Sequence, residues 1–155
     1  MLPLRAICAD GLSLPVSLFR VPAGFPSPAE DYVERSLDIG EKLIRHKNAT
    51  FFMRAEGNSM TGTGINDGDL LVIDRAVQAR DKSTVVARIN EEFCVKTLRK
   101  IEGKYWLYPE NPDYQPIEIC EGDDVEIWGV VTFAITELNG GPAEKRSVTN
   151  GTRAR

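Results

Sequence analysis

Glu56-Gly57-Asn58-Ser59-Met60 is the stretch of this chain whose residue types could carry out chemistry. Gly57 permits a positive φ, and Asn58 tolerates one better than most residues. A bend of that kind leaves the Ser59 hydroxyl exposed while backbone N–H groups converge beside it, which is what a serine nucleophile needs. The same letters also describe a plain turn. A free hydroxyl is a poor nucleophile, so the reading depends on a partner base.

The lone histidine, His46, stands among Arg45, Lys47 and Asn48 at a polar helix end and is expected to be a solvated surface residue. Thr61 occupies the last position of a G-x-S-x-G elbow, and Gly62 stands where an S-x-x-K pattern needs its lysine, so neither pattern applies. A lysine from elsewhere in the fold is the remaining route to an activated serine. Lys96 is the candidate. In the run Phe93 to Leu98 it shares one face with Cys94 and Leu98, while Phe93, Val95 and Thr97 take the other. Burial between such faces can bring a lysine pKa down to about 5–6. Against a reference of about 10.4, neutrality at pH 7 costs roughly 4–5 kcal/mol, a large penalty to carry without a use. The alternative is a strand lysine that snorkels to water from an edge. The residues alone leave both readings open.

Elements far apart in sequence must bring these two side chains together. Residues 1–23 read as an extended arm in which Leu12, Leu14, Val16 and Leu18 alternate with other residues, the period of a strand, and Pro15 confines that strand to an edge. Ser27-Pro28-Ala29-Glu30 predicts a short helix with a capping box, its apolar side supplied by Tyr32, Val33 and Leu37. Asp38-Ile39-Gly40-Glu41 repeats the theme before Leu43 and Ile44. From Thr50 the pattern changes to strands: Thr50–Met53, Leu70–Ile73, Val85–Ile89 and Phe93–Leu98 as a hairpin, Tyr105–Tyr108, Ile117–Ile119 and Val125–Thr136. Many short strands with Gly, Pro and Asn turns predict a mainly β, compact antiparallel domain with one or two short helices. Residues 24–138 would form that domain, and the polar stretch 139–155 a disordered tail.

Composition narrows the function. A chain of 155 residues can bury one core, and a net charge of −4 lacks the basic footprint of direct, sequence-specific DNA binding. No apolar run is long enough to cross a membrane, and Pro3, Arg5, Asp10 and Pro15 interrupt any signal-peptide core, so a cytoplasmic protein is expected. Cys8, Cys94 and Cys120 are too widely spaced for a zinc site and read as reduced thiols. Neither a metal nor a cofactor is expected.

Taken together, Gly57-Asn58-Ser59-Met60, Gly64-Ile65-x-Asp67-Gly68-Asp69-Leu70 and Phe93-x-Val95-Lys96-x-Leu98 resemble the LexA-type self-cleaving proteases, over roughly residues 20 to 138. Gly24-Phe25-Pro26-Ser27-Pro28-Ala29-x-Asp31-Tyr32-Val33-Glu34 is similar to the branch that serves error-prone DNA polymerases as an accessory subunit. The resemblance implies a LexA/signal-peptidase-like β-fold with Ser59 as nucleophile, Lys96 as general base and a scissile bond between Ala23 and Gly24. It implies backbone N–H groups of Asn58 and Ser59 for the oxyanion, a homodimer, a RecA–single-stranded DNA filament that stimulates cleavage, and a Y-family polymerase as partner. Asn58 stands where the family often has Asp, and Ala23-Gly24 is the repressors' pair instead of the Cys-Gly of the polymerase branch. Only 23 residues precede Gly24, too few for a repressor's DNA-binding module, so the repressor reading falls. Two other classes remain: a Ser-Lys peptidase acting on other proteins, and a non-catalytic dimeric β-scaffold.

Overall fold

Short runs rich in β-branched and aromatic residues, punctuated by turn formers, fold here into antiparallel strands. The computed structural model describes residues 4–5, 13–17, 23–25 and 34–139. Along them run β1 (Leu4–Arg5), β2 (Ser13–Ser17), β3 (Glu34–Asp38), α1 (Ile39–Leu43), β4 (Thr50–Arg54), a 3-10 turn at Thr61–Thr63, β5 (Leu70–Asp74), β6 (Thr84–Ile89), β7 (Glu92–Ile101), β8 (Lys104–Tyr108), β9 (Ile117–Ile119) and β10 (Val125–Ile135). Eight strands make one sheet in the order β1-β4-β5-β10-β6-β7-β8-β9, and β2 pairs with β3 separately.

Tight turns set the register. Asn90 and Glu91 join β6 to β7 with φ of 47° and 68°, and Glu102 and Gly103 join β7 to β8 with φ of 50° and 80°. Two positive φ values in a two-residue loop match the right-handed twist of the strands on either side. With Ile89 opposite Glu92, the count along the hairpin puts Lys96 opposite Val85.

The sheet turns on β10. Val125–Val130 pair with β6 and Val130–Ile135 with β5, with register shifts between Ile127 and Gly129 and between Val131 and Phe133. Such irregularities bend a strand and increase its twist, so the sheet curls around its core. Gly129 is required at the bend, because a Cβ there would lie 2.6 Å from Ile73 Cγ2. One buried cluster holds Ala55, Met60, Ile65, Leu71, Ile73 and Val86, and a second holds Val85, Ala87, Leu98, Leu107 and Val130. Met60 and Ile65 flank the serine bend, so the core holds that bend directly.

The mainly β architecture and the strands expected after Thr50 are all present. The expected helix at Ser27-Pro28-Ala29-Glu30, with Tyr32 and Val33, lies outside the described residues, but Leu37 belongs to strand β3, opposite Leu14. A turn or two of helix is marginal alone, and ladder bonds with β2 supply the backbone with partners instead. Pro15 sits in β2 opposite Ser36, and among the described residues β2 and β3 pair only with each other, which makes β2 the edge strand expected for a proline. The Asp38 signal was sound: its carboxylate accepts the Glu41 N–H at 3.0 Å and caps α1. Of the expected tail only Asn139 is described. Gly129→Val should cost about 1–3 kcal/mol through overpacking against Ile73, read as a lower urea midpoint at unchanged slope.

Candidate active site

Residues 55–60 leave β4 and would be a mobile loop without partners, but they are held on both sides. On one side the turn 66–69 takes them. Ala55 N–H donates to the Asp69 carbonyl at 2.8 Å, and Gly68 N–H to the Ala55 carbonyl at 2.9 Å. Asp67 Oδ1 accepts the Gly57 N–H at 2.7 Å, fixing Gly57 at φ 83°. Buried Asp69 closes that turn by accepting the Asn66 N–H at 2.8 Å. Beyond the bend the Met60 carbonyl accepts from the Thr63 hydroxyl at 2.8 Å, and the Met60 side chain enters the core.

On the other side the loop between β8 and β9 takes hold. Glu110 N–H donates to the Ser59 carbonyl at 2.7 Å and Asn111 Nδ2 to the Asn58 carbonyl at 2.8 Å. Gly62 N–H returns to the Glu110 carbonyl at 2.7 Å, an approach so close that a Cβ on Gly62 would lie 2.5 Å from that oxygen. A trans peptide points its C=O and N–H in opposite directions. With the Asn58 carbonyl drawn toward Asn111, the Ser59 N–H is therefore aimed away from that loop.

Into this bend comes Lys96 from β7. Its Nζ donates to Ser59 Oγ at 3.0 Å and to the Val95 carbonyl at 3.0 Å. The head group thus turns to the serine instead of snorkelling, and both residues are partly buried. Ser59, Lys96, Met60, Ile65, Phe93 and Cys94 are among the residues lining a cavity of about 220 Å³. Phe93 is set edge-to-face on Trp128 at 5.5 Å, and Trp128 in turn on Phe51 at 5.1 Å with the Arg75 guanidinium 4.6 Å over its ring. Burial pushes the Cys94 thiol above its ordinary range, and the Lys96 charge opposes that shift more weakly.

The structure therefore brings Ser59 and Lys96 into contact across 37 residues of sequence. It does not bring Ala23 and Gly24 there: they lie in an exposed bend with Phe25, itself 93% exposed, and none of the three lines the cavity. His46 is the surface residue expected, its side chain 49% exposed, but it has a partner that was not foreseen: its Nδ1 lies 2.6 Å from Oδ2 of Asp74, a carboxylate only 2% exposed that also accepts the Ala76 N–H. No local pattern announces that pair, because its members are 28 residues apart. The positioning parts played by Asp67, Glu110 and Asn111 were also missed. Asn111-Pro112-Asp113 reads as a turn and is one, with Asn111 Oδ1 accepting the Asp113 N–H, but the same side chain's bond to Asn58 spans 53 residues. Cys94 and Cys120 are free thiols.

Fold and site together define a curled antiparallel β-domain in which a lysine amine contacts a serine hydroxyl at an open cavity. The Peptidase S24-like family model matches residues 15–132, and the chain belongs to that family. It is 45% identical over 127 residues to Protein MucA of Salmonella typhimurium, a match covering 81% of this chain and 86% of that protein. It is 41% identical over 131 residues to Protein ImpA of Shigella flexneri, with the same coverage of 81% and 86%. With LexA repressor 1 of Pseudomonas syringae pv. tomato it shares 43% identity over 110 residues, 71% of this chain but 54% of the repressor. No helix among the described residues is long and apolar enough to cross a membrane.

The thiolate is the reactive form of a cysteine, and Cys94 keeps its proton to higher pH than an ordinary thiol. Iodoacetamide at neutral pH should therefore label exposed Cys120 well before Cys94, with Cys94 labelling accelerating only as the pH is raised. Peptide mass mapping reads both sites.

Proposed function

We propose that this protein is a UmuD-like, self-cleaving serine endopeptidase of the SOS DNA-damage response, which cuts its own Ala23–Gly24 bond. The observation that carries the reading is the 3.0 Å contact between Lys96 Nζ and Ser59 Oγ. Membership of the Peptidase S24-like family and similarity to MucA, ImpA and a LexA repressor support it.

Ala23-Gly24 must leave its exposed bend and enter the cavity, in its own chain or in a second copy. Small residues on either side of the bond let the backbone approach the serine without a clash. The unprotonated Lys96 amine takes the Ser59 proton as Oγ attacks the Ala23 carbonyl. The tetrahedral oxyanion is held by the backbone N–H groups of Ser59 and Asn58, a contribution typically of about 3–4 kcal/mol. Collapse breaks the C–N bond, the lysine returns its proton to the Gly24 amine, and an ester joins Ala23 to Ser59. Water, giving its proton to Lys96, then attacks the ester; the bond to Ser59 Oγ breaks, Lys96 passes the proton back to that oxygen, and the arm leaves with a carboxylate at Ala23. Tethering keeps the local concentration of the bond high, so a slow chemical step suffices.

The wider setting belongs to the same proposal. A RecA filament on single-stranded DNA promotes cleavage by binding the docked arm better than the free one, the condition any such shift must meet. The trimmed chain, as a homodimer in the cytoplasm, then supports translesion synthesis by a Y-family polymerase. The acidic chain leaves DNA contact to those partners.

Purified protein held at rising pH should cut itself once, after Ala23, with a rate that climbs with pH because only the unprotonated amine accepts a proton. Ser59→Ala and Lys96→Ala should abolish the cut while leaving the circular dichroism spectrum unchanged. A chain that stays whole at alkaline pH, and also with activated RecA filament, would mean a non-catalytic scaffold. Asn111→Ala should slow the cut by roughly tenfold or more, since an ångström of misplacement can cost about a hundredfold.

A further inference from the structure

A second concavity lies along the loop that holds the carbonyl side of the serine bend. Tyr108, Pro109, Pro112, Tyr114 and Pro116 line an open groove of about 460 Å³ along the loop between β8 and β9. Prolines lack an N–H and tyrosines offer flat apolar faces, so such a surface suits an extended, proline-rich strand whose own backbone asks for few hydrogen bonds. Tyr114 is 44% exposed, leaving its ring open to a partner. The groove is continuous with the serine bend. Glu110 and Asn111 belong to its lining, and they are the two residues that hold the carbonyls of Ser59 and Asn58.

This chain carries a segment of matching chemistry. Phe25-Pro26-Ser27-Pro28 begins one residue after the bond proposed to be cut. Phe25, its first residue, is 93% exposed, an aromatic ring in water with apolar surface to bury. We propose that the groove of Tyr108, Pro112 and Tyr114 is the docking site for Phe25-Pro26-Ser27-Pro28, and that this docking aligns the Ala23 carbonyl with Ser59. The inference rests on the reading of Ala23–Gly24 as the scissile bond. In polyproline geometry the five steps from Ala23 to Pro28 span roughly 16 Å at about 3.1 Å each. With the Ala23 carbonyl at Ser59, that length carries the segment past Glu110 and Asn111, which hold the bend from its carbonyl side, and onto the groove they line. Selection of this one bond then comes from the residues on its C-terminal side, because alanine and glycine offer almost no side chain to recognise.

The test uses the full chain carrying Ser59→Ala, so the bond stays intact, with p-benzoyl-phenylalanine in place of Phe25. Irradiation and mass mapping should give cross-links to residues 108–116. Links into Phe93–Lys96, links elsewhere, or none would overturn the proposal. In the active chain, Phe25→Ala and Tyr114→Ala should each slow alkaline self-cleavage roughly tenfold, the scale of one lost aromatic contact. Because the two side chains act on each other, the double variant should be no slower than either single one. Tyr114→Phe, which keeps the ring, should restore the rate. Unaltered rates in both single variants, with Ser59→Ala inert, would reject the groove and leave self-cleavage standing. Cross-links to the groove in a protein whose parent chain is never cut would do the reverse.

Discussion

The Ser59 bend depends on being clamped from two sides. A hydrogen bond such as that between Lys96 and Ser59 contributes only about 1 kcal/mol net, far too little to immobilise the bend. The 3.0 Å contact is a consequence of the clamp and does not cause it. Asp67 ties the start of the bend, Glu110 and Asn111 tie its carbonyls, and Met60 and Ile65 are sunk in the core. Each tie comes from a different part of the chain, so moving any one would misplace the hydroxyl.

The curl of the sheet makes those ties geometrically possible. β10 passes its pairing from β6 to β5 around Gly129, where the backbone crowds against Ile73. β4, which feeds the serine, and β7, which carries the lysine, are separated in the sheet by β5, β10 and β6. In a flat sheet three intervening strands at about 4.8 Å spacing would keep the two side chains well apart, and curling closes that distance. The aromatic series Phe51–Trp128–Phe93 takes one ring from each of β4, β10 and β7 and spans the same interval.

Family similarity covers the whole of this device. The match to the Peptidase S24-like family, residues 15–132, takes in the serine bend, the turn 66–69, the lysine strand and the loop at 110–111. It also takes in Ala23, Gly24 and Phe25, which sit exposed and away from the cavity. In the proposed reaction the body of the domain is therefore prepared in advance, and the arm is the part that has to move.

Much of this was legible from residue types. Gly57 before an asparagine and a serine marks a positive-φ bend, and runs such as Leu70–Ile73 and Val85–Ile89 mark strands, because both are local preferences of backbone and side chain. Lys96 could be singled out since a charge between apolar faces is costly wherever the strand goes. Leu37 could not be placed, because its strand exists only through pairing with β2. Nor could His46, Asp67 or Asn111 be assigned their partners, which lie 10 to 53 residues away. Local sequence determines which conformations a segment can adopt and what each side chain is able to do. Which groups meet is decided by the curl of the sheet and the closing of long loops, and those depend on the core being assembled as a whole.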